Sequence, residues 1–144
     1  MLTQQRADEL MGMPKYCVDA SPIAFPLPDQ ATQLQLKSSD NREEFLVDVN
    51  RKGRIKLSKC TYQERYEVVD ILLRLNVAGP PHVNPDGQDV PSPHLHVYRE
   101  GFGDKWAKPA PSDFSKLSDL AKTLEHFLTY CEVQKVPLIQ RGVQ

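Results

Sequence analysis

A chain of 144 residues with 18 basic and 19 acidic side chains and a formal net charge of -1 is long enough for one packed core and short for two domains. The near balance of charge excludes a protein coated in positive charge, no apolar run approaches the ~20 residues of a bilayer-spanning helix, and no basic stretch followed by an apolar one marks a signal peptide. Three widely spaced cysteines, Cys17, Cys60 and Cys131, without a Cys-x-x-Cys pair, argue against a disulfide framework or thiolate zinc site and for the reducing cytoplasm.

Thr3 is placed to cap a short amphipathic helix that Gly12 and Pro14 end near Met13. The proline-rich residues 21–28 suit neither a helix nor a central strand; they read as an extended lead-in packing Ile23, Phe25 and Leu27 on the fold. From Thr32 the pattern turns to period two, with Leu34 and Leu36, then Phe45, Val47 and Val49, then Ile55 and Leu57, separated by turn residues at 38–41 and 50–53. Residues 67–77 alternate Val69, Ile71, Leu73, Leu75 and Val77 as a long central strand does, and His94-Leu-His-Val-Tyr98 supplies the next strand. Leu117, Leu120, Ala121, Leu124, Phe127, Leu128 and Cys131 recur at helical spacing behind a cap at Ser118. The expected fold is α+β in a single domain over residues 1–144: an antiparallel meander of about five strands, with an N-terminal helix and a C-terminal helix packed on one face.

If the apolar partners face the helix, their neighbours face away. These are Asp48 and Asn50, then Arg54, Lys56 and Ser58, then Arg74 and Asn76, then His94, His96 and Tyr98. Such residues equally make up the solvated side of any half-buried sheet. Arg74 and Asn76 lie directly across from His94 and His96 only if the paired numbers sum to an even value. Simple closure around the turn Asn84-Pro-Asp-Gly87 gives an odd one, so the register calls for a bulge near Gly87 or the prolines 80, 81, 91 and 93.

The choice of side chains suggests phosphodiester chemistry. His94 and His96, with an ordinary pKa of ~6.5, suit removal of a ribose 2′-hydroxyl proton and protonation of the leaving oxygen. Arg74, Lys56 and Arg54 would hold the phosphate and stabilise its developing charge. RNA supplies its own nucleophile, so no cofactor or metal is called for. Lys59, Tyr62, Gln63 and Arg65 follow, completing a basic segment in which Arg51, Lys52, Arg54, Lys56, Lys59 and Arg65 surround the single acid Glu64. They would add phosphate contacts or a stacking surface for an unpaired base. Tyr98 shares the histidine face, and Trp106, between Lys105 and Lys108, suits contact with nucleic acid or protein.

A second chemistry stays open. His-x-His on a strand turns two imidazoles to one side, and His82 would complete a zinc site of His82, His94 and His96, provided that the prolines fold the intervening loop back. His126 reads as a boundary histidine of the C-terminal helix and Cys60 as a small buried side chain. No glycine-rich phosphate loop, Gly-x-Ser-x-Gly elbow or paired-carboxylate motif occurs.

Gly53-Arg-Ile-Lys-Leu-Ser-Lys59 with Thr61-Tyr-Gln63 and Arg65, then Pro81-His82, Asn84-Pro-Asp-Gly87 and Pro93-His-Leu-His-Val-Tyr-Arg-Glu-Gly-Phe-Gly-Asp-Lys-Trp-Ala107, resemble a family of small uncharacterised bacterial and prophage-associated proteins. The resemblance covers about the middle and C-terminal two thirds of the chain and brings no established activity. It implies a mobile-element role: a toxin of a toxin–antitoxin pair, or a phage protein that inhibits a host defence complex. Joined to the residue chemistry, it leads to an expected metal-independent endoribonuclease of toxin type, with RNA or an antitoxin or host protein as partner. The rival is a non-catalytic binding protein, in which the same face and Trp106 engage the partner.

Overall fold

The computed structural model describes residues 1–53, 59–114 and 118–141. In chain order its elements are α1 (Gln4–Gly12), β1 (Lys15–Cys17), β2 (Ile23–Ala24), β3 (Ala31–Ser38), β4 (Glu44–Asn50), β5 (Thr61–Tyr66), β6 (Asp70–Asn76), β7 (His82–Val83), β8 (Asp89–Val90), β9 (His94–Val97), β10 (Ala107–Pro109), α2 (Leu120–Tyr130) and β11 (Ile139–Gln140). Seven strands form one sheet in the order β1-β3-β4-β5-β6-β9-β10, with every neighbouring pair antiparallel. The sheet is antiparallel as expected but has seven strands rather than about five, with the three-residue strands β1 and β10 at its two edges. The proline-rich lead-in is pinned by β2, which pairs in parallel with β11, and it buries Ile23 and Phe25 while leaving Leu27 at the surface, contrary to expectation.

The core follows from the period-two pattern. Leu36, Phe45, Val47, Val49, Tyr62, Leu73, Leu75 and Leu95 turn to one side of the sheet and meet Ala7 and Leu10 of α1 and Ala121, Leu124, Phe127 and Leu128 of α2 in a single cluster. Each large aliphatic side chain taken out of water there contributes about 1.5–3 kcal/mol. The Thr3 hydroxyl accepts from the Arg6 amide at 3.1 Å and starts α1 as expected. At α2 the cap is Asp119 rather than Ser118: its carboxylate accepts from the Lys122 amide and also pairs with Arg141. Leu117 lies outside the described residues.

Two corrections concern the sheet centre. The expected strand through Ile55 and Leu57 falls outside the described residues, and the segment after it, Thr61–Tyr66, is itself a central strand. Residues 67–69 form a turn that leaves Val68 and Val69 exposed, so the next strand starts only at Asp70. A bulge follows: Glu64 pairs with Leu73 but Arg65 pairs with Ile71, which leaves Leu72 as the extra residue, and Leu72 is buried along with Leu73.

Period two also sends Glu64 inward. Its carboxylate meets Lys15 Nζ at 3.3 Å, with neither side chain exposed. Lys15 Nζ further donates to the carbonyls of Met11, in the last turn of α1, and Cys131, which caps the end of α2. One ammonium thus satisfies a free carbonyl at the C-terminus of each helix, where the peptide dipoles favour a cation.

Candidate functional site

Strand pairing lays two rows of polar side chains across the face opposite the helices. Gln33, Asp48, Gln63, Arg74 and His96 are successive partners in one row, and Asn50, Thr61, Asn76 and His94 in the next. Arg74 therefore sits opposite His96, and Asn76 opposite His94, in the even register. Simple hairpin closure does not produce it. The chain between β6 and β9 instead leaves the sheet as the separate β7–β8 hairpin, and that excursion frees the register from the turn at Asn84.

The hairpin folds back over the histidines. The Asn84 side chain pairs with the backbone of Ala107 in both directions, accepting from its N–H at 2.8 Å and donating to its carbonyl at 3.0 Å. His82 Nε2 bonds the Lys105 carbonyl at 2.7 Å. Covered in this way, His94 and His96 are 2 % and 1 % exposed, although they stand on the sheet's polar side. The His82 ring lies 4.5 Å from that of His96 and 5.9 Å from that of His94, and the latter two are 5.0 Å apart. With Lys59, Thr61, Arg74, Asn76 and Ser92 they line a cavity of about 360 Å³.

A carbonyl can only accept, so each carbonyl partner assigns a tautomer. His96 Nδ1 lies 2.8 Å from the Asp104 carbonyl and carries the proton, which leaves the lone pair on Nε2. That nitrogen is buried and has no hydrogen-bond partner among the described residues. In neutral His82 the lone pair falls on Nδ1, because Nε2 serves the Lys105 carbonyl. His94 has neither nitrogen to spare. Its Nε2 meets the Asn76 amide nitrogen at 3.1 Å, and its Nδ1 faces the Ser92 hydroxyl at 3.5 Å.

Burial lowers the pKa of both strand histidines. For His96 it acts together with the Arg74 charge and outweighs the Asp104 carbonyl, bringing the value down to about 4. His94 is lowered mainly by burial, then by the charges of His82 and Arg74. Both imidazoles are therefore neutral near pH 7. Arg74 is ion-paired with Asp104, and one guanidinium nitrogen stands 3.5 Å from His96 Nδ1.

The expected site residues divide clearly. His94, His96, Arg74 and Lys59 come together in the cavity. Arg65 lines a neighbouring cavity, held by Asp48 through Nε at 2.7 Å and by the Val68 carbonyl, with Thr61 shared between the two cavities. Tyr62 is a correction: it is fully buried against Phe127 and donates its hydroxyl to the Leu120 carbonyl, because β5 turns it to the core. Tyr98 is another. The ladder ends where its amide bonds the carbonyl of the extra residue Leu72, period two is lost, and the ring enters the core with its hydroxyl donating to the Leu2 carbonyl. Trp106 stands beside the site, its ring under the Arg99 guanidinium at 4.0 Å. Arg54 and Lys56 lie outside the described residues.

The zinc alternative gains no support from the arrangement: the His82, His94 and His96 rings do lie together, but no group of three or more His, Cys, Asp or Glu side chains among the described residues is placed to hold a metal ion. The donor chemistry gives the reason: His82 and His96 each present one lone pair, whereas that of His94 is taken by Asn76. Sequence reasoning missed Asp104 and Asn84. Both looked like turn residues, and no periodicity announces a carboxylate that returns to Arg74 or an amide that clamps a distant strand.

A family model described as a family of unknown function (DUF6978) matches residues 2–133. The chain belongs to this family. No curated protein and no solved structure matches it. The matched span of DUF6978 takes in α1, every strand from β1 to β10, and α2, and so includes all residues of the cavity.

Proposed function

We propose that this DUF6978 chain is a metal-independent endoribonuclease of the toxin type, encoded on a mobile element and acting in the cytoplasm, whose cavity around His96 takes an RNA phosphodiester. One observation carries the reading: an imidazole with an uncommitted Nε2 lone pair shares a cavity with two cations, Arg74 and Lys59. His96 accepts the 2′-hydroxyl proton as O2′ attacks phosphorus. Arg74 and Lys59 neutralise the charge that grows on the phosphoryl oxygens. Asp104 orients Arg74 and, through its carbonyl, fixes the His96 tautomer.

Purified protein incubated with mixed-sequence RNA, with and without chelator, tests this. Chelator-resistant cleavage leaving 2′,3′-cyclic phosphate ends is expected, reduced about 100- to 10,000-fold in His96→Ala. The pH profile has its own signature. A base with a pKa of about 4 is lost only as pH falls through that value, so no acidic fall of kcat/KM is expected between neutrality and about pH 5. A bound phosphate offsets the Arg74 charge, so the acidic limb of kcat sits higher than that of kcat/KM. An acidic limb of kcat/KM near the ordinary histidine value would show that His96 is not the base.

An exposed Phe102 packed on the half-buried Trp106 favours a second reading, a non-catalytic phage or mobile-element protein that binds and inhibits a host defence complex. Phe102 is 43 % exposed and meets Trp106 edge-on at 5.9 Å, the kind of pair that anchors protein interfaces. Absence of RNA cleavage at every pH from 4 to 8 moves the assignment there.

A further inference from the structure

We infer that the second proton-transfer residue of the cavity is His82, which protonates the leaving oxygen of an RNA phosphodiester, whereas His94 is a positioning residue. The inference rests on the ribonuclease reading and adds the residue which that reading lacks. Two-step proton transfer needs one group that gains a proton and one that gives a proton up, each with a nitrogen free to face the substrate. The strand pattern points to His94 and His96 as the pair. The hydrogen bonds point elsewhere, because both ring nitrogens of His94 are engaged, by Asn76 on one side and by Ser92 on the other.

His82 has the complementary arrangement. Its Nε2–H is anchored on the Lys105 carbonyl at 2.7 Å, while Nδ1 has no hydrogen-bond partner among the described residues. Its ring meets that of His96 at 4.5 Å. Of the three imidazoles it alone is not buried, standing at intermediate exposure. Nε2 of His96 is buried and the His82 ring packs edge-on against that of His96, so a ribose that reaches Nε2 meets the His82 ring as well. The charged and titratable groups around the pair are Arg74, Lys59, Asp104 and His94.

The step balances without a co-reactant. O2′–H gives its proton to His96 Nε2, the O2′–P bond forms, the P–O5′ bond breaks, and His82 Nδ1–H passes its proton to O5′. The products are a 2′,3′-cyclic phosphate and a free 5′-hydroxyl.

A leaving-group comparison tests the assignment. Wild-type protein, His82→Ala, His94→Gln and His96→Ala are assayed on RNA and on uridine 3′-(4-nitrophenyl phosphate), whose phenolate departs without protonation, with circular dichroism confirming that each variant is folded. His82→Ala is expected to lose about 100-fold or more on RNA and less than about tenfold on the aryl ester. His96→Ala loses on both substrates, and His94→Gln loses by one common factor on both. Equal losses for His82→Ala on the two substrates overturn the inference, as does a leaving-group signature in His94→Gln instead. A wild-type protein that cleaves neither substrate overturns the ribonuclease reading itself.

Discussion

Lys15→Met is expected to destabilise the fold by about 3–5 kcal/mol, the cost of leaving a buried carboxylate without its cation. The magnitude follows from the surroundings. Lys15 and Glu64 are both fully buried, and the ammonium also holds the carbonyls of Met11 and Cys131 and lies 4.8 Å from the Phe45 ring centre. Burial raises the Glu64 pKa from 4.5 to about 7, against the lowering pull of Lys15. The sign of the pH dependence follows. A carboxyl whose folded pKa is raised contributes most below its unfolded value and loses that contribution as pH rises through the folded one. Without Lys15 the folded value rises further, so the deficit of Lys15→Met is expected to be larger at pH 8 than at pH 5. Urea denaturation at the two pH values measures it. The double variant Lys15→Met/Glu64→Leu, which removes both charges, should recover to within about 2 kcal/mol of wild type. A single variant as stable as wild type would mean that the pair contributes nothing beyond its packing.

That ion pair also shows where reading the sequence stops. Helix α1 was legible because a cap and an apolar pair lie within ten residues, as was α2, whose stripe of Leu120, Ala121, Leu124, Phe127 and Leu128 is local. The pairing of β3 with β4 followed from two matched runs of alternating apolar residues. In β5 the same alternation runs Tyr62 then Glu64, and an inward glutamate makes sense only beside Lys15, a residue 49 positions away that no period can announce. Tyr62 therefore reads as a phosphate contact or stacking surface, when the rule that governs its neighbours sends it to the core. Tyr98 fails for a different reason: the bulge at Leu72 ends the alternation one residue earlier than the sequence pattern does. The convergence of Arg74, His94 and His96 was legible in residue type but not in register, because parity is decided by the β7–β8 excursion.

Asn84 is where that excursion is held, and Asn84→Ala is expected to cost about 2–3 kcal/mol and to disable His82. The estimate comes from the two hydrogen bonds to Ala107, at 2.8 and 3.0 Å, made by a side chain only 8 % exposed. Truncation leaves the Ala107 N–H and carbonyl unpaired beneath the hairpin, at roughly 1–3 kcal/mol for each group that water does not reach. The consequence for the site is sharper than the loss of stability. His82 lies two residues before Asn84, on the short strand β7 that leads into it, and is otherwise fixed to the facing segment by one bond, to the Lys105 carbonyl. Once the hairpin is released, the His82 ring no longer stands against His96, whereas His96, held within β9 and by Asp104, stays in place. Asn84→Ala should therefore repeat the His82→Ala pattern, slow on RNA and nearly normal on the aryl ester, in a protein that still melts cooperatively at a lower temperature. Equal losses on both substrates would mean that the hairpin supports the whole cavity rather than His82. An unchanged melting temperature would mean that the Ala107 groups find water, and that the hairpin is held by its own β7–β8 pairing.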